Sequence, residues 1–187
     1  DPALIEEVLV KLNIGQADRG KLDISANAGF ADAATKIAAS GGLAIPAHIE
    51  KDKGLMRLTV PAHVREILLH DDVCAVEIVH LDTADDVRNK LGEQRNMAFV
   101  RGSDTWDKDE SHHALSGIGA RRTWIKASRP DLIGLRHALA DPQLRVLLQQ
   151  PAPTTYTRIE DIEFLGGFLG GERIRFSPDL NCLLGGT

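Results

Sequence analysis

The chain has little cysteine and no cysteine pair of the kind that builds a disulfide framework. Its 187 residues include Cys74 and Cys182, each alone inside an apolar run and without a CxxC spacing. This usage indicates buried thiols in a reducing compartment rather than a disulfide-stapled fold. We therefore expect a cytoplasmic protein.

Long hydrophobic runs are also missing. No apolar stretch approaches the ~20 residues that span a membrane, and no signal peptide is visible. The formal net charge of −5 argues against nonspecific binding of nucleic acid by the whole surface. A local basic group remains, for which phosphate binding and a solvated face are both open interpretations; its members are Arg121, Arg122, Lys126 and Arg129. Because the first residue is Asp1 rather than Met, we expect a piece of a longer polypeptide.

Apolar strands alternate with amphipathic helices over the first 150 residues. Helical patterns are predicted at residues 1–12, 32–39, 64–69, 83–94 and 130–140. Strands are predicted at residues 43–46, 74–79, 96–100 and 123–126. This alternation predicts βαβ units in a parallel sheet or barrel. The number of units is about half that of an eight-fold barrel.

A different pattern begins at Pro151-Ala152-Pro153, which we interpret as a linker. Beyond it no helix signal is present, and strands are predicted at residues 159–165, 173–176 and 180–184, with a glycine-rich turn at 166–171. We therefore expect two domains, residues 1–150 and residues 151–187.

Polar residues follow two of the predicted strands. His48 comes directly after one strand, and Asp104 comes after the next but one, with His112 and His113 further along. Because the active sites of α/β barrels lie at the carboxyl ends of the strands, these residues suggest a metallohydrolase at one rim.

Each of these residues also has a simpler interpretation. A histidine at a strand end is often hydrogen-bonded within the structure, and Asp104 follows Gly and Ser as turn residues do. His113 lies in a charged stretch typical of a solvated loop. Glu77, inside an apolar strand, is interpreted as exposed or as a structural hydrogen-bond partner, with a supporting role beside a metal as the alternative.

Several segments resemble, in order, the second half of a PHP (polymerase and histidinol phosphatase) domain. They are Gly41–His48, Ala75–Ile78, Gly102–Asp104 and Ile118–Lys126. The resemblance is closest to the TrlF-like group, in which a PHP domain is fused to an ABC/SMC-like ATPase. It implies an α/β fold: part of a distorted (β/α)7 PHP barrel that carries a cluster of divalent metal ions, followed by a short β-rich segment of the ATPase domain.

The resemblance assigns three metal ligands. His48 matches a late histidine ligand of the family, and Asp104 matches the aspartate of its Asp-x-His motif. Position 106 is Trp, so the motif histidine is assigned to His113, in preference to His112, after an insertion. Histidine and carboxylate ligands together suit Zn²⁺, Mn²⁺ or Fe²⁺, and such metals activate water for attack on phosphorus.

The implied function is a metal-dependent phosphoesterase, such as a nuclease or a nucleotide hydrolase, coupled to an ATPase in DNA repair or phage defence. Nucleic acid or nucleotides would be its substrates. Nothing before His48 matches the ligands that the family carries in the first half of its barrel. This difference, together with Trp106, favours the alternative, a degenerate PHP module that acts as a structural or regulatory platform for the ATPase.

The last segments resemble the strands that lead into a Walker A loop: Arg158–Phe164, Ile174–Asn181 and Leu184–Thr187. Gly185 and Gly186 would begin the phosphate loop, but its lysine and Ser/Thr are not included. Binding of ATP and Mg²⁺ is therefore expected only in the full-length parent protein. The family implies a homodimer formed through the ATPase. Because half a barrel leaves strand edges unpaired, we expect the rest of the parent chain or a partner to complete it.

Overall fold

Helices and short strands alternate along the chain, and a computed structural model describes residues 2–21, 24–58, 60–103, 115–152, 157–177 and 181. The helices are α1 (Pro2–Lys11), α2 (Phe30–Ala39), α3 (Pro61–Leu69), α4 (Thr83–Leu91), α5 (Leu132–Ala140) and α6 (Pro142–Arg145). The strands are β1 (Ala75–Glu77), β2 (Ala98–Val100), β3 (Trp124–Ile125), β4 (Val146–Leu147), β5 (Asp161–Glu163) and β6 (Arg173–Arg175). The protein is thus a mixed α/β chain with small sheets.

The chain divides into two compact units, Asp1–Gln150 and Pro151–Thr187. In the first unit β1 and β2 pair in parallel, with Val76 opposite Phe99. The helix α4 connects them, which is the βαβ unit that the sequence predicts. No closed barrel is present among the described residues.

Among the described residues of the whole chain, no helix is long and apolar enough to cross a membrane.

The two faces of the β1–β2 pair are covered by different helices. On one face Val76 and Phe99 pack with buried residues of α3 and α4, among them Leu68 and Val87. On the other face Ala75 and Ala98 pack against Leu139 of α5. Covered faces of this kind are typical of parallel strands, and they leave the strand ends as the place for polar side chains.

Two sequence predictions in the first unit need correction. The predicted strand at residues 43–46 is reduced to one parallel bridge between Ala44 and Val73, since Pro46 has no N–H to extend the ladder. The predicted strand at residues 123–126 is confirmed as β3, but it does not join a parallel sheet. It pairs antiparallel with β4, and α5 and α6 lie between the two strands in the chain.

The described part of the second unit is a β-hairpin. β5 and β6 pair antiparallel, with Ile162 opposite Ile174, so the two strands predicted here are confirmed over shorter spans. Gly167 and Gly171 have φ values of 76° and 89°, a conformation that favours glycine, which explains the glycine-rich turn. The third predicted strand, residues 180–184, lies outside the described residues except for Asn181.

Candidate functional site

Three segments of the first unit run in parallel and end at one edge. Residues 44–46 lie along β1, because the Cys74 amide donates a hydrogen bond to the Ala44 carbonyl (3.0 Å) and the Glu77 amide donates to the Pro46 carbonyl (2.8 Å). The third segment is β2, which pairs with β1 in the same direction. The carboxyl ends of parallel strands form the usual ligand-binding edge of an α/β sheet.

The carboxylate of Glu77, the last residue of β1, joins the loops that follow the other two segments. Its Oε2 accepts a hydrogen bond from the His48 amide (3.1 Å), and its Oε1 accepts one from the Gly102 amide (3.1 Å). A Cβ at position 102 would lie 2.7 Å from Oε1, so any larger residue here would push the carboxylate aside. The interpretation of Glu77 as a structural hydrogen-bond partner is confirmed.

His48 combines a strained backbone with an unpaired ring nitrogen. Its φ is 29°, a region that residues other than glycine rarely adopt. The Glu77 carboxylate on the His48 amide holds this conformation, and so does the bond from the Ile49 amide to the Glu77 carbonyl (3.0 Å). His48 Nδ1 is buried and has no hydrogen-bond partner in the part of the chain that the structure describes. Strain of this kind concentrates at functional sites.

Glu50 lies two residues after His48 and fixes the loop that follows β1. Its Oε1 accepts hydrogen bonds from the amides of Val79 (2.6 Å) and His80 (2.8 Å) and from the hydroxyl of Thr83 (3.2 Å). Burial alone would raise the pKa of Glu50, but these bonds stabilise the carboxylate and bring its pKa below the ordinary value. Its Oε2 is buried and unpaired among the described residues. Glu50 is therefore ionised at neutral pH.

Most of the other residues that the sequence singles out lie outside the described ranges. They include two predicted metal ligands, Asp104 and His113, as well as His112, Trp106, Cys182, Gly185 and Gly186. Within the described ranges, no three His, Cys, Asp or Glu side chains are placed to hold a metal ion. Asp104 and His113 lie outside those ranges, so the ligand set stays a prediction.

A cavity of about 380 Å³ lies at the same edge of the first unit. Its described lining residues come from the loops after all three parallel segments and from the segment before β3: Lys51, Val79, His80, Arg101, Ser103, Ala120 and Arg121. Three of these side chains are cationic and none is a carboxylate. The cavity therefore favours a negatively charged ligand.

Hydrogen bonds fix the Arg101–Ser103 loop against the segment before β3. The Arg101 amide donates to Thr123 Oγ1 (2.7 Å), and the Thr123 hydroxyl donates to the Arg101 carbonyl (3.0 Å). The Gly119 amide donates to Ser103 Oγ (2.6 Å). Bonds between backbone groups and the Thr123 and Ser103 hydroxyls therefore hold this wall of the cavity in place.

The basic group predicted from the sequence does not act as one surface. Arg121 lines the cavity, and its Nη2 donates to the Ser103 carbonyl (3.2 Å). Arg122 is exposed, and its Nε donates to the Gly119 carbonyl (2.6 Å). Only the first of these adjacent arginines belongs to the candidate site.

Sequence reasoning missed Glu50, Lys51 and Arg101 as functional candidates. Each lies within a few residues of His48 or Asp104, the residues that the sequence does single out. A signal was therefore available: charged residues next to a predicted ligand at a strand end share its edge of the sheet.

Comparisons of this chain with protein-family models, with curated proteins and with solved structures found no match. The strand ends carry a buried imidazole nitrogen, two hydrogen-bonded carboxylates and a basic cavity.

Proposed function

We propose that this chain forms part of a metal-dependent phosphoesterase site of the PHP type. The observation that supports the proposal is His48, whose buried Nδ1 has no partner in the described part of the chain and which lies where parallel segments end. A second observation that supports the proposal is that the Glu77 carboxylate accepts hydrogen bonds from the amides of both His48 and Gly102. Since Asp104 follows Gly102 by two residues, one carboxylate holds the loops that carry two of the proposed ligands.

The available donors fit a divalent transition metal. Imidazole nitrogen combined with carboxylate oxygen suits Zn²⁺, Mn²⁺ or Fe²⁺, and the unpaired His48 Nδ1 is a nitrogen that such an ion would satisfy. His48, Asp104 and His113 would hold the metal. When bound, a divalent metal polarises phosphoryl oxygens and activates water for attack on phosphorus.

The chain's own residues position the groups around this site. Glu77 fixes the backbone of His48 and the start of the loop that leads to Asp104. Glu50 fixes the loop after β1 through the amides of Val79 and His80. A loop backbone that is fixed in this way holds the groups it carries in position for a substrate.

The proposal includes the finer fold assignment. The first unit would be the second half of a distorted (β/α)7 barrel, completed by the rest of a longer parent chain or by a partner. The second unit would form the first strands of an ABC/SMC-like ATPase, with Gly185 and Gly186 at the start of its phosphate loop. The parallel β1–β2 pair and the β5–β6 hairpin support this assignment. Nucleic-acid or nucleotide substrates, a cytoplasmic location and a dimer through the ATPase complete the proposal.

Hydrolysis of phosphoesters by the purified full-length parent protein tests the proposal. The assay compares p-nitrophenyl phosphate and bis(p-nitrophenyl) phosphate with Mn²⁺ or Zn²⁺ added. We expect His48→Ala and Asp104→Ala to reduce turnover by about a hundredfold or more. His63→Ala is the matched control, since His63 is an exposed histidine of α3, and it should leave turnover unchanged.

Two results would contradict the proposal. One is turnover that His48→Ala and His63→Ala affect equally. The other is a folded wild-type protein that hydrolyses neither ester with either metal. The second result would favour the alternative function, a degenerate PHP module that serves the ATPase as a platform.

A further inference from the structure

The cavity at the strand ends concentrates positive charge in an acidic protein. The chain has a formal net charge of −5, whereas Lys51, Arg101 and Arg121 line one cavity in which no described lining residue is a carboxylate. His80 and Ser103 add an imidazole ring and a hydroxyl group. A concave site lined by one sign of charge raises the local concentration of ions of the opposite sign. The ligand that this cavity fits is an anion.

Arg101 lines the cavity, and the chain fixes one side of its guanidinium. Its Nη2 donates to the Val79 carbonyl (3.0 Å), which fixes the guanidinium. Its Nε is buried and unpaired among the described residues, and a guanidinium has five N–H donors in all. A buried donor without a partner costs free energy, which an anion's oxygen would recover. The planar guanidinium matches phosphate geometry in particular.

The size of the cavity limits the kind of phosphate compound. Its volume of about 380 Å³ lies near the lower end of the roughly 300–1,000 Å³ found for small-molecule sites. A long nucleic-acid strand would instead need a basic surface that follows many phosphates, and the net negative charge of the chain opposes one. A phosphomonoester dianion also gains more from three cations than the monoanion of an internal phosphodiester does.

We propose that this cavity binds the phosphate group of a small phosphomonoester about the size of a nucleoside monophosphate. Arg101 and Arg121 donate to the phosphate oxygens, and Lys51 adds a third positive charge. Binding of the phosphate requires no metal. The further statement that the bound molecule is the enzyme's substrate rests on the proposed function.

Calorimetric titration of adenosine 5′-monophosphate into chelator-treated, metal-free protein tests the cavity. The variants are Lys51→Gln and Arg121→Gln, with Lys53→Gln and Arg122→Gln as neighbours that remove the same charge. Lys53 and Arg122 are exposed, and neither is among the described residues that line the cavity. We expect each cavity variant to weaken binding about tenfold or more and each control to change it less than about twofold.

Folding of each variant is checked by circular dichroism. Because Arg121 also holds the Ser103 carbonyl, Lys51→Gln carries the test if Arg121→Gln does not fold. Inorganic phosphate is expected to displace adenosine 5′-monophosphate, and adenosine without phosphate is expected to bind much more weakly. These results together support a phosphate-specific cavity.

Several results would overturn this assignment. One is that the folded wild type does not bind adenosine 5′-monophosphate. Another is that the cavity variants and the control variants lose equal affinity for it. A third is that adenosine binds as tightly as its monophosphate. Tighter binding of an oligonucleotide without terminal phosphates would replace the small ligand with nucleic acid. Binding without hydrolysis after metal addition would support the cavity and contradict the phosphoesterase. Hydrolysis unaffected by the cavity variants would contradict only the statement that the molecule bound in the cavity is the substrate.

Discussion

The two units of this chain differ in how far they bury their apolar side chains. The first unit buries large apolar side chains between strands and helices, with Leu68 at 0% and Ile78 at 1% exposure. In the described part of the second unit no residue is buried, and Leu165 and Phe168 are 92% and 102% exposed. Apolar burial is the main favourable contribution to folding, and a lone hairpin is only marginally stable. The first unit can therefore hold a precise site, whereas the hairpin fits its proposed role as part of a larger domain.

The largest expected effect comes from Leu68→Ala in α3. Leu68 is fully buried, so truncation should lower the free energy of unfolding by about 2–5 kcal/mol. Leu165→Ala removes the same atoms from the exposed turn of the hairpin and should change stability by less than about 0.5 kcal/mol. Urea denaturation followed by circular dichroism measures both variants. Equal losses would mean that the two units do not differ as described.

A smaller effect is expected from Gly102→Ala at the strand ends. The added Cβ would lie 2.7 Å from Glu77 Oε1, so the carboxylate must shift. We expect this shift to weaken its bond to the Gly102 amide, at a cost of up to about 0.5–1.5 kcal/mol. Since the same carboxylate holds His48, we expect Mn²⁺ affinity to fall about tenfold.

Gly166→Ala in the second unit is the control for this substitution. A Cβ at Gly166 meets no heavy atom within 4 Å beyond its chain neighbours, among the residues described, and its φ is not positive. Stability and Mn²⁺ titrations of the two variants should therefore differ. If both behave like wild type, Glu77 does not couple the two loops.

The next effect is the pH dependence that Glu50 gives to the first unit. Its pKa is lowered in the folded state, so its stabilising contribution is complete above its ordinary pKa of about 4.3. This contribution is lost as the pH falls through the lowered value. In urea denaturation, wild type should therefore lose its stability advantage over Glu50→Gln as the pH falls from about 5 through the lowered pKa of Glu50. A stability difference that stays constant with pH would argue against the bonds from Val79, His80 and Thr83.

The smallest effect is expected from Arg173→Gln in the hairpin. A hydrogen bond from the Arg173 guanidinium to Asp161 (2.6 Å) is the main reason that the pKa of Asp161 is lowered. Without it, the pKa should rise toward the ordinary value for aspartate, as measured by NMR titration of the side-chain carboxyl carbon. Stability should change too little to measure, because solvent screens exposed ion pairs. An unchanged pKa would show that the ion pair does not form in solution.

The sequence predicts the elements whose signals are local. The helix before Gly41-Gly42, the helix that ends at Ala140 and the glycine turn between β5 and β6 are all confirmed. Prediction from the sequence fails for a strand that forms only because a distant segment pairs with it. β4 is two residues long and exists through its pairing with β3, so no periodicity could reveal it.

The candidate site was predictable only in part, for the same reason. His48 could be singled out because it follows an apolar run, and residues after strands gather at one edge. Glu50 could not be chosen over its neighbours, because its role depends on which amides its loop meets, here those of Val79 and His80. Such contacts between distant loops are set by the folded chain.

Metal content is the most direct test of the central claim that His48 belongs to a metal site. The full-length parent protein is loaded with Mn²⁺ or Zn²⁺ and desalted, and its metal content is measured by elemental mass spectrometry. The variants His48→Ala and Asp104→Ala and the exposed control His63→Ala are treated in the same way. We predict bound metal in wild type and in His63→Ala, and a clear loss in the other two variants. Equal metal content in all four proteins, or none in wild type after loading, would contradict the account.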